Sequence, residues 1–104
     1  MYKLPPPVAL QDVRAAIFQS RVVSVHWRGR QRDVHPHLLV QAPRSGAFVV
    51  VSWEPAGEGE CGRWIFPRFA ELRGLEFRDR SFMRRTDTPH AVPGSRRSRE
   101  DAPA

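Results

Sequence analysis

Between Val22 and Leu39 the chain reads VVSVHWRGRQRDVHPHLL. Arg28, Arg30 and Arg32 stand there with His26, His35, His37 and Trp27. A guanidinium binds phosphate or carboxylate through two parallel hydrogen bonds. An indole offers a flat face on which a base can stack. Trp27 and, further on, Trp53 are the candidate platforms. These residue types point to an anionic, base-bearing ligand. For Arg28 and Arg30 the plainer reading is a charged turn that keeps a sheet edge soluble; for Arg32 both readings stay open. Trp27 alternates with Val23 and Val25, which favours a place in the core.

The imidazoles are the other reactive group. His35 and His37 are two apart and face the same way on a strand, and His26 has matching parity on the partner strand. Three imidazoles could hold zinc at about 2.0–2.1 Å. No carboxylate or cysteine stands with them and Pro36 interrupts the strand, so no metal is assigned. They line a nucleotide pocket or are partly exposed strand residues. Cys61, the one cysteine, lies in GEGECGRW with no base beside it to form a thiolate, and reads as a loop residue. There is no P-loop, no pair of carboxylates suited to acid–base work and no Gly-x-Ser-x-Gly elbow. The expectation is a non-enzyme without a cofactor.

The elements that must position these residues follow from the hydrophobic period. MYKLPPP, residues 1–7, predicts an extended arm that stays out of any sheet. From Val8 to Phe18 the apolar residues Val8, Ala9, Val13, Ala16 and Ile17, widened by Leu10 and Phe18, mark one helical face. The period then changes to two. Val22–Trp27 predicts a strand, Arg28–Arg30 a turn with Gly29 at positive φ, and Gln31–Gln41 the return strand. In that strand Val34, Pro36, Leu38 and Val40 share one face and Asp33, His35, His37 and Leu39 the other. Pro36 makes it an edge or a bulged strand. Ala42–Gly46 is a turn, Ala47–Trp53 a central strand, Glu54–Gly62 a loop and Arg63–Phe66 a short strand stopped by Pro67. LRGLEF gives a last strand kinked at Gly74, and Phe82 anchors its end. Residues 86–104, rich in Pro, Ser, Arg and acid, predict a disordered tail in which Ser95–Arg99 forms a small basic cluster. Residues 8–85 are then one domain, mainly β with one N-terminal helix, and its five short strands suggest a small SH3-like or Sm-like barrel.

Composition sets the outer limits. The chain has 104 residues and a formal net charge of +6. All 17 basic residues except Lys3 are arginine. Coding bias accounts for arginine over lysine, but the charge excess still favours an anionic partner. No apolar run approaches the roughly 18 residues of a membrane helix, and the start lacks a signal-peptide core. The protein is expected to be cytoplasmic and off the membrane.

AAIFQSRVVSVHWRGRQRDVHPHLL, then GAFVVVSW, then the spaced aromatics from Trp64 to Phe82, resemble the WYL domain, most closely its short stand-alone bacterial form. The resemblance spans about Ala15 to Phe82. Ala16 and Ile17 match its helical Ala-Ile pair and Trp27 its first-strand aromatic. Arg32 matches the arginine before the hydrophobic-x-Pro element, Val34-His35-Pro36. Phe48-Val49-Val50 takes the place of the naming Trp-Tyr-Leu. Trp53, Trp64, Phe69, Leu72, Leu75 and Phe82 match later apolar positions. In an ungapped register Ile65 stands where the family has arginine, and a one-residue shift brings Arg63 or Arg68 towards that place. Pro67, Ala70 and Glu71 also depart from the pattern.

The resemblance implies an Sm-like barrel and a regulatory ligand-binding module, used in larger relatives behind a DNA-binding winged helix to sense nucleic acid or nucleotide-like ligands in transcription regulation. The expected function is therefore binding of single-stranded nucleic acid or a nucleotide-like anion, with Arg28, Arg30, Arg32, His35, His37 and Trp53 as site residues. The alternative is a protein-interaction domain that engages a partner, or a second copy as a homodimer, through a barrel edge.

Overall fold

In the computed structural model the described residues are 5–57 and 61–89. Helix α1 spans Leu10–Gln19, and the strands are β1 (Arg21–Trp27), β2 (Arg30–Gln41), β3 (Phe48–Glu54), β4 (Arg63–Ile65) and β5 (Arg73–Ser81). A short 3-10 helix, Phe69–Glu71, precedes β5. The sheet is antiparallel, ordered β4-β3-β2-β1-β5. A mainly β fold with one helix is what the residue pattern predicts. The sheet is nevertheless open: β4 and β5 end it and do not pair to close a barrel.

The helix ends where Ser20 adopts the left-handed conformation (φ 53°), returning its N–H to Ala16 and Ile17 carbonyls. Val13 and Ala16 are buried on its inner face. Phe18 does not widen that face: it is 89% exposed. β1 and β2 join through Arg28 (φ 50°) and Gly29 (φ 83°), both left-handed, with Trp27 opposite Arg30. That is the two-residue turn whose twist matches a hairpin.

β2 is the long strand that bends the sheet. Its first half pairs with β1 up to Val34, and its second half with β3 from His35 onward. A bulge lies between Pro36, opposite Ser52, and Leu38, opposite Val51. The extra residue reverses the alternation, so Leu39, not Leu38, packs on the core. The single-face assignment Val34–Pro36–Leu38–Val40 therefore fails past Pro36. The core gathers Val13, Ala16, Val23, Val25, Trp27, Val34, Val50, Ile65 and Leu72. Trp27, 5% exposed, takes the core place its alternation favours.

The proline arm also departs from expectation. Pro7 bridges Arg73, and Pro6 accepts the Gly74 N–H at 2.8 Å. Proline cannot donate to a ladder but its carbonyl still accepts. At the other end the expected tail lies, from residue 90 onward, outside the described residues, while Asp87 and Thr88 bond to Arg85.

The turn supplies a test. Gly29→Ala forces a Cβ into the left-handed region and should lower unfolding free energy by about 1–2 kcal/mol. In urea the midpoint should fall with the slope unchanged; an unmoved midpoint excludes this turn geometry.

Candidate functional site: an arginine cleft beside an aromatic face

The hairpin end of β2 meets the end of β3 and the start of β4 in a cleft of about 250 Å³. Its walls are Trp27, Arg28, Arg32, Arg63, Trp64, Ile65 and Phe66. Trp27 wedges the base of the cleft and donates Nε1–H to Glu71 at 3.1 Å. The Arg28 and Arg32 guanidiniums lie 4.5 and 4.9 Å from its ring centroid. Arg32 is held on every side. Its Nε donates to the Trp27 carbonyl at 3.1 Å, and its Nη1 lies 3.3 Å from the Glu54 carboxylate. Its side chain is 8% exposed. Arg63 shares Glu54 at 3.1 Å but is 64% exposed. Among the described residues Arg28 makes no ion pair. One carboxylate thus serves two of three guanidiniums, and the cleft keeps a cationic excess beside two indoles.

The sequence-predicted residues divide between places. Arg28 and Arg32 enter the cleft. Arg30 lies on a neighbouring concavity of about 340 Å³ with Gly57, Cys61 and Gly62. His35, His37 and Trp53 lie together elsewhere, on the outer face where β2, β3 and β4 run side by side. His35 stacks on Phe82 (centroids 4.8 Å apart, 4° between planes), and His37 tilts against the same ring at 4.8 Å. Trp64 meets His37 edge-on at 5.0 Å and Trp53 edge-on at 5.3 Å. His26 does not join them: it pairs with Gln31 and Arg73. Among the described residues no three His, Cys, Asp or Glu form a metal-holding group.

His37 is fully buried, and its contacts choose its proton. Nδ1 lies 2.8 Å from the His35 carbonyl, so it must donate; Nε2 lies 3.1 Å from the Arg85 N–H, so it must accept. Only the neutral Nδ1–H imidazole does both. Burial pushes its pKa below the ordinary 6.5, and the nearby Arg84 and Arg85 push the same way against Asp87 and the His35 carbonyl. His35 is lowered too, first by burial, then by His37 and Arg80, with Asp33 opposing.

Glu54, Arg63, Gly62 and the 82–88 segment were not among the predicted site residues. Arg63 had a signal in the family register, where it lies near the missing basic position. Gly62 had none, yet a Cβ there would stand 2.8 Å from Trp53 ring carbons and 2.5 Å from the Glu54 carbonyl. No family model, curated protein or solved structure matches this chain.

The imidazoles set a pH response. Both pKa values are lower folded than unfolded, so just below about pH 6.5 the unfolded chain binds more protons and stability falls as pH falls. Unfolding free energy from urea melts should be lower at about pH 5.5 than at about pH 7.5, and His37→Gln, which cannot titrate, should shrink that difference. An equal difference in the variant would remove His37 as its source.

Proposed function

We propose that this chain is a non-enzymatic ligand-binding module for a nucleotide-like anion, with single-stranded nucleic acid as the extended form of that ligand. The observation that carries the reading is the cleft in which Arg32 and Arg63 share the Glu54 carboxylate while Arg28, stacked on Trp27, has no carboxylate partner among the described residues. Arg32 is the built-in member, already committed to Glu54 and Trp27, and it shapes the wall. Arg28 and Arg63 are the exposed cations that reach a phosphate. Trp64, half-buried on the cleft wall where Trp27 is in the core, is the indole that receives the base.

The reading keeps the WYL-like proposal. Arg32 stands in the family's basic place, and Arg63, on the same strand face as the buried Ile65, takes the role of the missing fourth-strand arginine. The strand order and leading helix support a small barrel of SH3-like or Sm-like kind. A role in transcription would then run through a partner. A non-enzymatic role is supported by His37, whose two nitrogens are both engaged.

Self-association through an edge is the weaker reading. β5 ends the sheet, but its ladder to β1 steps from Phe77 to Ser81 while β1 steps only from Val23 to Arg21. The protruding Arg78, Asp79 and Arg80 make that edge charged and irregular, which discourages strand addition.

The test is fluorescence anisotropy with a labelled thymidine oligomer of about 12 nucleotides at about 50 and 200 mM salt. Affinity should fall with salt. Arg63→Ala and Arg28→Ala, both surface changes, should each weaken binding about fivefold, the effect of about 1 kcal/mol. Unchanged affinity in both variants removes the cleft as the site.

A further inference from the structure

The chain after β5 folds back over the aromatic face as a strap. Phe82 donates its N–H to the Ser20 carbonyl at 2.9 Å, and its ring covers His35 and His37. Arg84 donates to the His37 carbonyl at 2.7 Å. Arg85 donates its N–H to His37 Nε2 and lays its guanidinium over Trp53, 3.7 Å from the ring centroid. The Asp87 carboxylate holds that guanidinium flat through bonds of 2.9 and 3.2 Å, and the Thr88 hydroxyl closes the turn on the Arg85 carbonyl.

Trp53 is therefore a slot. One side of the indole rests on Gly62, where not even a methyl group fits. The ring is covered by one planar cation, the Arg85 guanidinium. The slot adjoins the arginine cleft, because Trp64, a wall of the cleft, meets Trp53 edge-on.

The cover is lightly held. The Arg85 side chain is 40% exposed and Asp87 57%, so their pair is a solvent-screened surface ion pair. An exposed cation–π contact is of the same weak order. Base stacking on an aromatic ring is at least as favourable as such a contact, so a base can replace the guanidinium.

The backbone tether is conditional as well. It requires Nε2 of His37 to carry no proton. A protonated imidazole turns a second N–H towards that of Arg85 and adds a cation beside Arg84 and Arg85. The groups facing this position are Arg84, Arg85 and Asp87 from the strap and His35 from β2, with Arg80 of β5 and Asp33 of β2 around His35. Asp87 alone of the strap groups opposes the added charge.

We propose that the Trp53 face is a second, nucleobase-stacking subsite of the arginine cleft, closed in cis by Arg85 and tethered shut by neutral His37. The proposal rests on the reading of the cleft as a site for a base-bearing anion.

The experiment compares the full chain with Arg85→Ala, which removes the guanidinium but keeps the backbone N–H on His37. Two labelled probes are titrated, a thymidine oligomer and an abasic oligomer of equal length, at about pH 7.5 and 5.5. At the higher pH Arg85→Ala should bind the thymidine oligomer about fivefold to tenfold tighter than wild type. It should gain nothing on the abasic oligomer. On acidification wild type should gain on the thymidine oligomer beyond its gain on the abasic one, and Arg85→Ala should show no such excess. Wild-type binding with no thymidine-specific gain in Arg85→Ala overturns the subsite and leaves the cleft standing. A gain in Arg85→Ala without a thymidine-specific acid gain in wild type overturns the His37 tether. No binding of either probe by either protein overturns the cleft reading and the subsite together.

Discussion

Pro36 has no N–H to give, and much of this structure depends on that missing donor. A ladder cannot run through it unbroken on both sides. The strand bulges after it, and β2 changes partner from β1 to β3 just before it, at Val34 and His35. The break lets one long strand serve two halves of a bent sheet. It also moves the side chains. Val34 and Pro36 point into the core, and Leu39 returns to it beyond the bulge. His35 and His37 are left on the outer face, where the strap buries His37 beneath Phe82 and Trp64.

The charge arrangement follows a second constraint, the desolvation of Arg32. A guanidinium that is 8% exposed costs several kcal/mol unless it is paired and hydrogen-bonded. Glu54, the Trp27 carbonyl and the Trp27 ring provide that compensation. Glu54 stands opposite Arg63 in the β3–β4 ladder, so the pairing that satisfies Arg32 also brings Arg63 to the cleft. The carboxylate keeps its buried partner when the exposed one leaves, and Arg63, 64% exposed, loses only a solvent-screened pair by leaving it. A site of this kind needs no large movement to exchange Glu54 for a phosphate at Arg63.

Local signals in the sequence carried the elements well. Alternation of Val23, Val25 and Trp27 placed β1, the Arg-Gly turn placed the hairpin, and the apolar run after Gly46 placed β3. What failed depended on contacts distant in sequence. The bulge was legible as a possibility at Pro36, but the residue at which alternation resumes depends on β3. A run of prolines signals the missing donors, but not that the Pro6 carbonyl can still accept from Gly74 of β5, distant in sequence. The candidate site was half legible. Arg28 and Arg32 stand in one hairpin, but Arg63 reaches them across a loop, through a carboxylate that no local pattern marks. His35, His37 and Trp53 do gather, as their strand parity suggests, but around Phe82 and Arg85 and away from the arginines. Arg84 and Arg85 fall at the very end of the expected domain, where the composition turns polar and no local pattern marks a role for them. Their contacts with Ile17, His37 and Trp53 supply that role.

Trp64 connects the two sites. Its indole lines the arginine cleft, meets Trp53 edge-on and closes over His37 from the side. A ligand that shifts this ring from the cleft side changes the surface against which the strap is packed. A strap that lifts removes the cover from its neighbour Trp53. Coupling of this kind needs an element with two arrangements, not merely a path of contacts. The strap fits that description better than any other described segment. It is held by one backbone bond to Ser20, a few side-chain bonds and one ring nitrogen, while the strands beneath it are held by their ladders. If the two sites communicate, the communication runs through the seating of residues 82–88, and the sheet has no need to move.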